Sequence, residues 1–439
     1  MTDGNVFVRK DVARLTDGEV ASLREGFRVL RQRSANNANS RLGLLGQANI
    51  HRDACSHANW WFLPWHRGYL YYFEKILREA ANDPSLTLPY WNWTENPRFP
   101  ARFLGADNPL NDGTRTVRSG DVADAGFVGP GVIRTIMGTT NFATFASERS
   151  NNPAVGIGFG ILEGTPHNYI HRFVGGNMRN PDLAARDPIF WLHHANVDRL
   201  WTRWVGKNPG RTTTNQSWRQ QAFSFFNRQG DPVTIRTGEM LNTFDLDYRY
   251  DTQRTSAMGI GRAMAADFGP DEEARGEPLF QGAAPDAVIS SEPTTVTLEP
   301  TDRLRQQTSE RAAMAEDVAQ DATTLRLEVQ GVAPPGNPDV GVRVFLNLPG
   351  ADASTPTDDP HYVTSFAFFE HEGEHAAHEH GPRAFYANVT PTLRRLQAAG
   401  LYNMGDPLET TLVTVPIVPG AQAEDVAVPF EGVAISVDD

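Results

Sequence analysis

Seven of the chain's twelve histidines fall into two groups whose spacing could hold metal ions. His51, His57 and His66 form the first; His167, His171, His193 and His194 form the second, and no histidine lies between the groups. A lone buried histidine is more often a hydrogen-bonded core residue than a ligand, but two clusters on Trp- and Phe-rich segments are harder to explain that way. Neutral imidazole suits copper, zinc, iron and nickel, whereas calcium and magnesium call for oxygen ligands. In LEGTPHNYIHRFVGG, Thr165 is placed to cap a helix that Pro166 opens, so His167 and His171 share a face at i and i+4 and can grip one ion. Gly175 and Gly176 end that helix. In ARDPIFWLHHANVDRLW, Asp187 reads as the cap and Pro188 as the first residue. Phe190, His194 and Asp198 then form one stripe, and His193 points about 100° away from it. Around the first group, Pro64 opens a long amphipathic helix with His66 in its first turn and Tyr69, Tyr72, Phe73 and Ile76 on its apolar side.

These side chains need a rigid frame, and the chain is long enough to supply more than one core: 439 residues with 40% hydrophobic and 21% charged, a globular balance. Residues 1–265 contain all nine tryptophans and carry helical periodicity, as in Leu23, Phe27 and Leu30 after Thr16, Asp17 and Gly18. Residues 266–285 are rich in Gly, Pro and acids and read as a linker, exposed and protease-sensitive. Residues 286–439 change to short β-branched and aromatic runs between Pro/Gly turns, the pattern of a β sandwich, with one helix in TPTLRRLQAAG ending at Gly400. The expected architecture is a mainly α domain followed by an all-β, sandwich-like domain. A net charge of −13 argues against nucleic-acid and anionic-membrane partners. No run approaches the length of a membrane span, and the start lacks the apolar segment of a secretory signal. The expected location is therefore the cytoplasm, or export without an evident signal peptide in this chain. The single cysteine, Cys55, excludes an internal disulfide.

The motifs FLPWHRGYLYYFE, HNYIHRFVGG and DPIFWLHHANVDRLW together resemble the coupled binuclear (type 3) copper family of tyrosinases, catechol oxidases and hemocyanins. The resemblance implies a four-helix bundle with two copper ions, one held by His51, His57 and His66, the other by His167, His171 and His194. His193 becomes a packing residue, and Asn196 and Asp198 orient the ligand helix through hydrogen bonds. Tyr248-Arg249-Tyr250 resembles the motif that closes the catalytic domain in plant and fungal members. The strand segments from VRVFLNLPG onward resemble the C-terminal domain of plant polyphenol oxidases. The loop from His371 to His380 is read as a solvated surface loop.

The implied activity is oxidation of o-diphenols to o-quinones with dioxygen, with hydroxylation of monophenols as well. The alternatives are a catechol oxidase or o-aminophenol oxidase lacking hydroxylase activity, or a hemocyanin-like oxygen carrier. Implied partners are small phenols and dioxygen, with a copper-delivery protein as a further candidate. Glu163 and Asn168 match the pair that, in hydroxylating members, holds a water proposed as the base. Cys55 stands two residues before His57, the spacing of members with a cysteine–histidine thioether. Pro181 replaces a phenylalanine that covers the copper in plant enzymes, and with Arg172 it is expected to shape substrate access. The resemblance further implies that the β domain shields the site, with Phe366, Phe368 and Phe369 as candidate plugs.

Overall fold

The computed structural model describes residues 6–209, 211–253, 277–306, 324–369, 381–403, 405–418, 423 and 426–438. Residues 266–276 of the expected linker and the loop His371–His380 lie outside the described residues. Helix α1 (Asp17–Asn36) begins at a reciprocal cap: Thr16 accepts from the Glu19 N–H while the Glu19 carboxylate accepts from the Thr16 N–H. It buries Val20, Leu23, Phe27 and Leu30. After α2 (Leu44–Ala54) comes α3 (Phe62–Ala80), which starts two residues earlier than its proline suggests. Pro64 therefore sits third in the helix, where its missing N–H has no intrahelical acceptor to lose, and His66 moves to the second turn.

The expected start at Thr165 and Pro166 is corrected. Ile161 and Leu162 are already helical, Glu163–His167 form a π-turn, and α4 (Asn168–Val174) continues from it. The Asn168 N–H reaches the Glu163 carbonyl five residues back, so the turn absorbs Pro166, which cannot donate to the ordinary ladder. Gly175 ends α4 with φ +72°, packed so closely that a Cβ there would lie 1.9 Å from Thr116 Oγ1. Helix α5 (Pro188–Lys207) follows the sequence reading: Asp187 accepts from the Ile189 N–H at 2.8 Å and Pro188 takes the first position.

The strands are β1 (Phe7–Arg9), β2 (Gly158–Phe159), β3 (Ala222–Phe226), β4 (Pro232–Arg236), β5 (Tyr248–Tyr250), β6 (Phe280–Ala283), β7 (Val288–Ile289), β8 (Thr294–Pro300), β9 (Leu325–Val332), β10 (Val340–Leu346), β11 (Tyr362–Ala367), β12 (Arg383–Asn388), β13 (Leu408–Pro416), β14 (Val428–Pro429) and β15 (Gly432–Val437). Nine form one sheet in the order β11-β10-β13-β8-β6-β15-β9-β12-β2, antiparallel except for β12 with β2. Its two halves share one apolar core, as in a sandwich, and join edge to edge between β6 and β8. Strand β6 falls inside the stretch read as linker. Helix α6 (Thr390–Ala398) is the one expected before Gly400. The helical region has its own core, which holds all nine tryptophans and also takes in Ala367, Phe369, Val415 and Ile417 from the β region. Among the described residues no helix is long and apolar enough to cross a membrane.

Candidate metal centre

Six elements bring the histidines together: His51 comes from α2, His57 from the loop that follows, His66 from α3, His167 from the π-turn, His171 from α4 and His194 from α5. Ring centroids within the first triad lie 5.2–5.5 Å apart and within the second 4.6–5.5 Å apart. The triads face each other, with the His66 and His194 rings stacked at 4.2 Å. By donor-atom proximity, His194 groups with His51 and His66 as well as with His167, His171 and His193, so it lies at the junction of the two triads. His171 Nε2 and His194 Nε2 are 3.4 Å apart. That is the separation expected of two nitrogens about 2.0–2.1 Å from one tetrahedral ion.

Hydrogen bonding fixes which ring nitrogens face inward. His51 Nδ1–H donates to the Pro181 carbonyl at 2.8 Å, His66 to Phe62 at 2.8 Å and His171 to Met178 at 2.7 Å. His167 Nδ1 meets the side-chain oxygen of Asn168 at 2.9 Å, and that amide is oriented by its own donation to the Ala367 carbonyl. A carbonyl only accepts, so each ring carries its proton on Nδ1 and presents the Nε2 lone pair to the site. Burial drives the His66, His171 and His194 pKa values well down and His167 to about 3, so these imidazoles are neutral, the form that ligates. His193 is the counter-example. Its Nδ1 accepts from the Trp93 indole at 3.2 Å, which puts the proton of the neutral ring on Nε2 and leaves that nitrogen without a lone pair to offer.

The other residues singled out by sequence take definite places. Asp198 accepts from Arg67 Nε at 2.6 Å and from the Tyr248 and Tyr250 hydroxyls at 2.6 and 2.5 Å, tying α5 to α3 and β5. Burial alone would raise its pKa, but Arg67 and Arg9 beside it, with the two hydroxyls, hold it below the ordinary carboxylate value. Asn196 turns to Arg199 Nε at 2.8 Å. Cys55 Sγ lies within 4.8 Å of a ring nitrogen of both His51 and His57. Pro181 is buried, and the contact through which it reaches the site is its carbonyl on His51. Glu163 is buried, accepting from the Ala58 N–H at 2.9 Å and from the Ser147 hydroxyl.

One face of the π-turn and α4 grips the β region. Thr165, Asn168 and Arg172 donate to the carbonyls of Ser365, Ala367 and Phe368 at 2.6, 2.9 and 2.8 Å. The next residue, Phe369, stacks on the His171 ring at 3.8 Å and meets the His57 and His167 rings edge-on at 5.6 Å. Arg172, expected at the substrate entrance, thus holds main chain of this strap. Sequence reasoning missed Trp93, Ser147 and Ala58, and also the carbonyls of Phe62, Met178 and Pro181, whose acceptor role no side-chain identity reveals.

All three metal-capable groups among the described residues are built of histidine and cysteine, without a carboxylate. An all-nitrogen set of neutral imidazoles with oriented lone pairs fits copper. Residues 27–132 and 114–207 match the common central domain of tyrosinase, and residues 212–259 the polyphenol oxidase middle domain. A tyrosinase of Hahella sp. (strain CCB-MM4) is 35% identical over 242 residues, 45% of this chain and 47% of the relative. Chloroplastic polyphenol oxidase II of Ipomoea batatas is 28% identical over 293 residues, 56% of this chain and 49% of the relative. The chain thus spans about half the length of the curated relatives it matches. Latent apple tyrosinase shares the fold at TM-score 0.73 and 21% identity, over 99% of this chain and 97% of that one. A functional unit of octopus hemocyanin shares it at TM-score 0.57 and 18% identity, over 98% and 99%.

Proposed function

We propose, for a chain that belongs to the tyrosinase and polyphenol oxidase family, that it is a dicopper oxidase converting o-diphenols to o-quinones with dioxygen, and that it also hydroxylates monophenols. The observation that carries this reading is the set of oriented imidazoles: four rings fixed by Nδ1–H bonds to oxygen, their Nε2 atoms turned into one buried space. His51, His57 and His66 would hold one copper and His167, His171 and His194 the other. Copper bound there supplies one-electron exchange at each of two adjacent sites, matching the two electrons an o-diphenol loses on becoming a quinone.

The chain's own residues do the rest. Burial among Phe62, Phe190 and the tryptophans excludes water and keeps the imidazoles neutral. Asn168 fixes the His167 ring through its side-chain oxygen. For a monophenol, whose hydroxyl has a pKa near 10, a base is needed at neutral pH. Glu163, four residues before His167, and Asn168, directly after it, are the pair proposed to hold the deprotonating water. Phe369, on the ring of His171, is proposed to occupy the place of substrate in a resting, shielded state.

The deciding experiment is oxygen uptake by the purified, copper-loaded chain with 4-tert-butylcatechol, tyrosine, tyramine and 2-aminophenol, alongside elemental analysis. Two coppers per chain with turnover of the catechol and of tyramine are expected. Turnover of catechol alone would reduce the reading to a catechol oxidase. Reversible oxygen binding without any turnover would make the chain an oxygen carrier.

A further inference from the structure

We propose that Glu163 is the positioning residue of His57, and through that ring a determinant of the first copper site; this rests on reading His57 as a copper ligand. Of the six candidate ligands, His57 alone is carried by a loop, so no helical ladder fixes its backbone and the peptide that follows it bears on where the ring points. That peptide is unusual. Ala58 has φ +52°, a left-handed conformation that a residue with a Cβ keeps only where its surroundings over-determine it.

The surroundings do so from both sides. The Ala58 N–H donates to Glu163 Oε1 at 2.9 Å, and its carbonyl accepts from the N–H groups of Ile157 and Gly158 at 2.7 and 3.0 Å. Asn59 donates to the His57 carbonyl at 3.1 Å. A Cβ at Gly156 would lie 2.9 Å from the Ala58 Cβ, so the loop has no room to relax in that direction. The second carboxylate oxygen of Glu163 accepts from Ser147, whose Oγ also accepts from the Gly160 N–H at 3.1 Å. The carboxylate is thus built into the backbone around His57.

The π-turn gives this tether its reach. The same five residues begin with Glu163 and end with His167, so one local distortion sets both the anchor of a first-triad ring and a member of the second triad. Glu163 also stands in the first turn of the helix, where the dipole favours a carboxylate, but its two oxygens are turned to the Ala58 N–H and the Ser147 hydroxyl.

The test uses the full-length chain carrying Glu163→Ala or Glu163→Gln. Glutamine keeps an oxygen for the Ala58 N–H and an amide that can donate to Ser147, so it preserves the tether and removes the basicity. In the metal-free protein, exchange of the Ala58 amide should speed up by at least about tenfold in Glu163→Ala and stay near wild type in Glu163→Gln. On reconstitution Glu163→Ala should retain one copper, visible as an isolated paramagnetic Cu(II), while Glu163→Gln retains two. Where Glu163→Ala does not fold, Glu163→Asp replaces it, since a shorter carboxylate keeps the charge and loses the reach; the same one-copper result is expected. The proposal is overturned if Glu163→Ala, or Glu163→Asp in its place, holds both coppers with the Ala58 amide still protected. It is equally overturned if Glu163→Gln loses a copper as readily as the truncated variant. A wild-type chain that takes up no copper pair would instead defeat the dicopper reading, leaving the exchange measurement to judge the tether.

Discussion

His193 and His194 stand side by side on α5, and the Trp93 indole separates their chemistry by donating to one of them. The stripe of Phe190, His194 and Asp198 picks out the second histidine from sequence alone, because a helix turns about 100° per residue. The reason the first is unsuited to metal was not legible, since Trp93 lies a hundred residues away. Nor were the acceptors that orient His51, His66 and His171, which are main-chain carbonyls. His194→Ala should therefore lower the copper content from two per chain to one, and His193→Ala should leave it at two, as measured by elemental analysis of the reconstituted variants. Cys55 belongs to the same scale. Its sulfur lies within 4.8 Å of a His57 ring nitrogen, beside the ring that a thioether would join. Mass spectrometry of the copper-loaded protein should show the loss of two hydrogens on the peptide joining Cys55 and His57. A Cys55 that alkylates freely after denaturation would count against the crosslink.

The helices carrying these residues are locked by charges that alternate along a buried path: Arg78, Glu74, Arg9, Asp198 and Arg67. Asp198 lies one turn beyond His194, and Arg67 follows His66, so this path fixes the distance between two ligand helices. Asp198→Asn should cost about 3–5 kcal/mol in denaturant unfolding of the metal-free chain, because it leaves buried guanidinium groups uncompensated. A loss below about 1 kcal/mol would mean the path is replaceable. The same helices bury His66, His167, His171, His193 and His194 as neutral rings with lowered pKa values. Above the unfolded value near 6.5 neither state binds these protons; below it the unfolded chain binds them and the folded chain resists. Stability of the metal-free protein should accordingly fall as pH drops below about 6.5. A melting temperature flat from pH 7 to 5 would contradict this. At this scale the caps at Thr16 and Asp187 were readable because they combine side-chain acceptor, spacing and proline. The π-turn was not, because Thr-Pro spells a helix start equally well when the helix is already running.

Across the whole molecule, the change from helical to alternating periodicity made the two regions legible, but not how closely they interlock. Strand β2 of the helical region completes the edge of the nine-stranded sheet, and Phe369 of the β region lies in the helical core. Neither contact has a local signature, since a two-residue strand and one phenylalanine among three carry no pattern of their own. The strap at 365–369 is where this interlocking meets the site. Its three carbonyls are held by Thr165, Asn168 and Arg172, and its last ring covers His171. Opening the site must therefore break three hydrogen bonds and expose an aromatic ring whose burial alone is worth about 1.5–3 kcal/mol. Phe369→Ala in the full-length chain removes the ring and leaves the clamp. It should raise catechol turnover with copper still at two per chain, most clearly for substrates small enough to enter the vacated space. Arg172→Leu leaves the ring and removes one charge-assisted bond, about 1.5–3 kcal/mol. That loss should increase the open population by about tenfold or more and make catechol turnover easier to raise with mild detergent. If neither variant turns over catechol faster than wild type, Phe369 is a packing residue and the β region serves assembly rather than control.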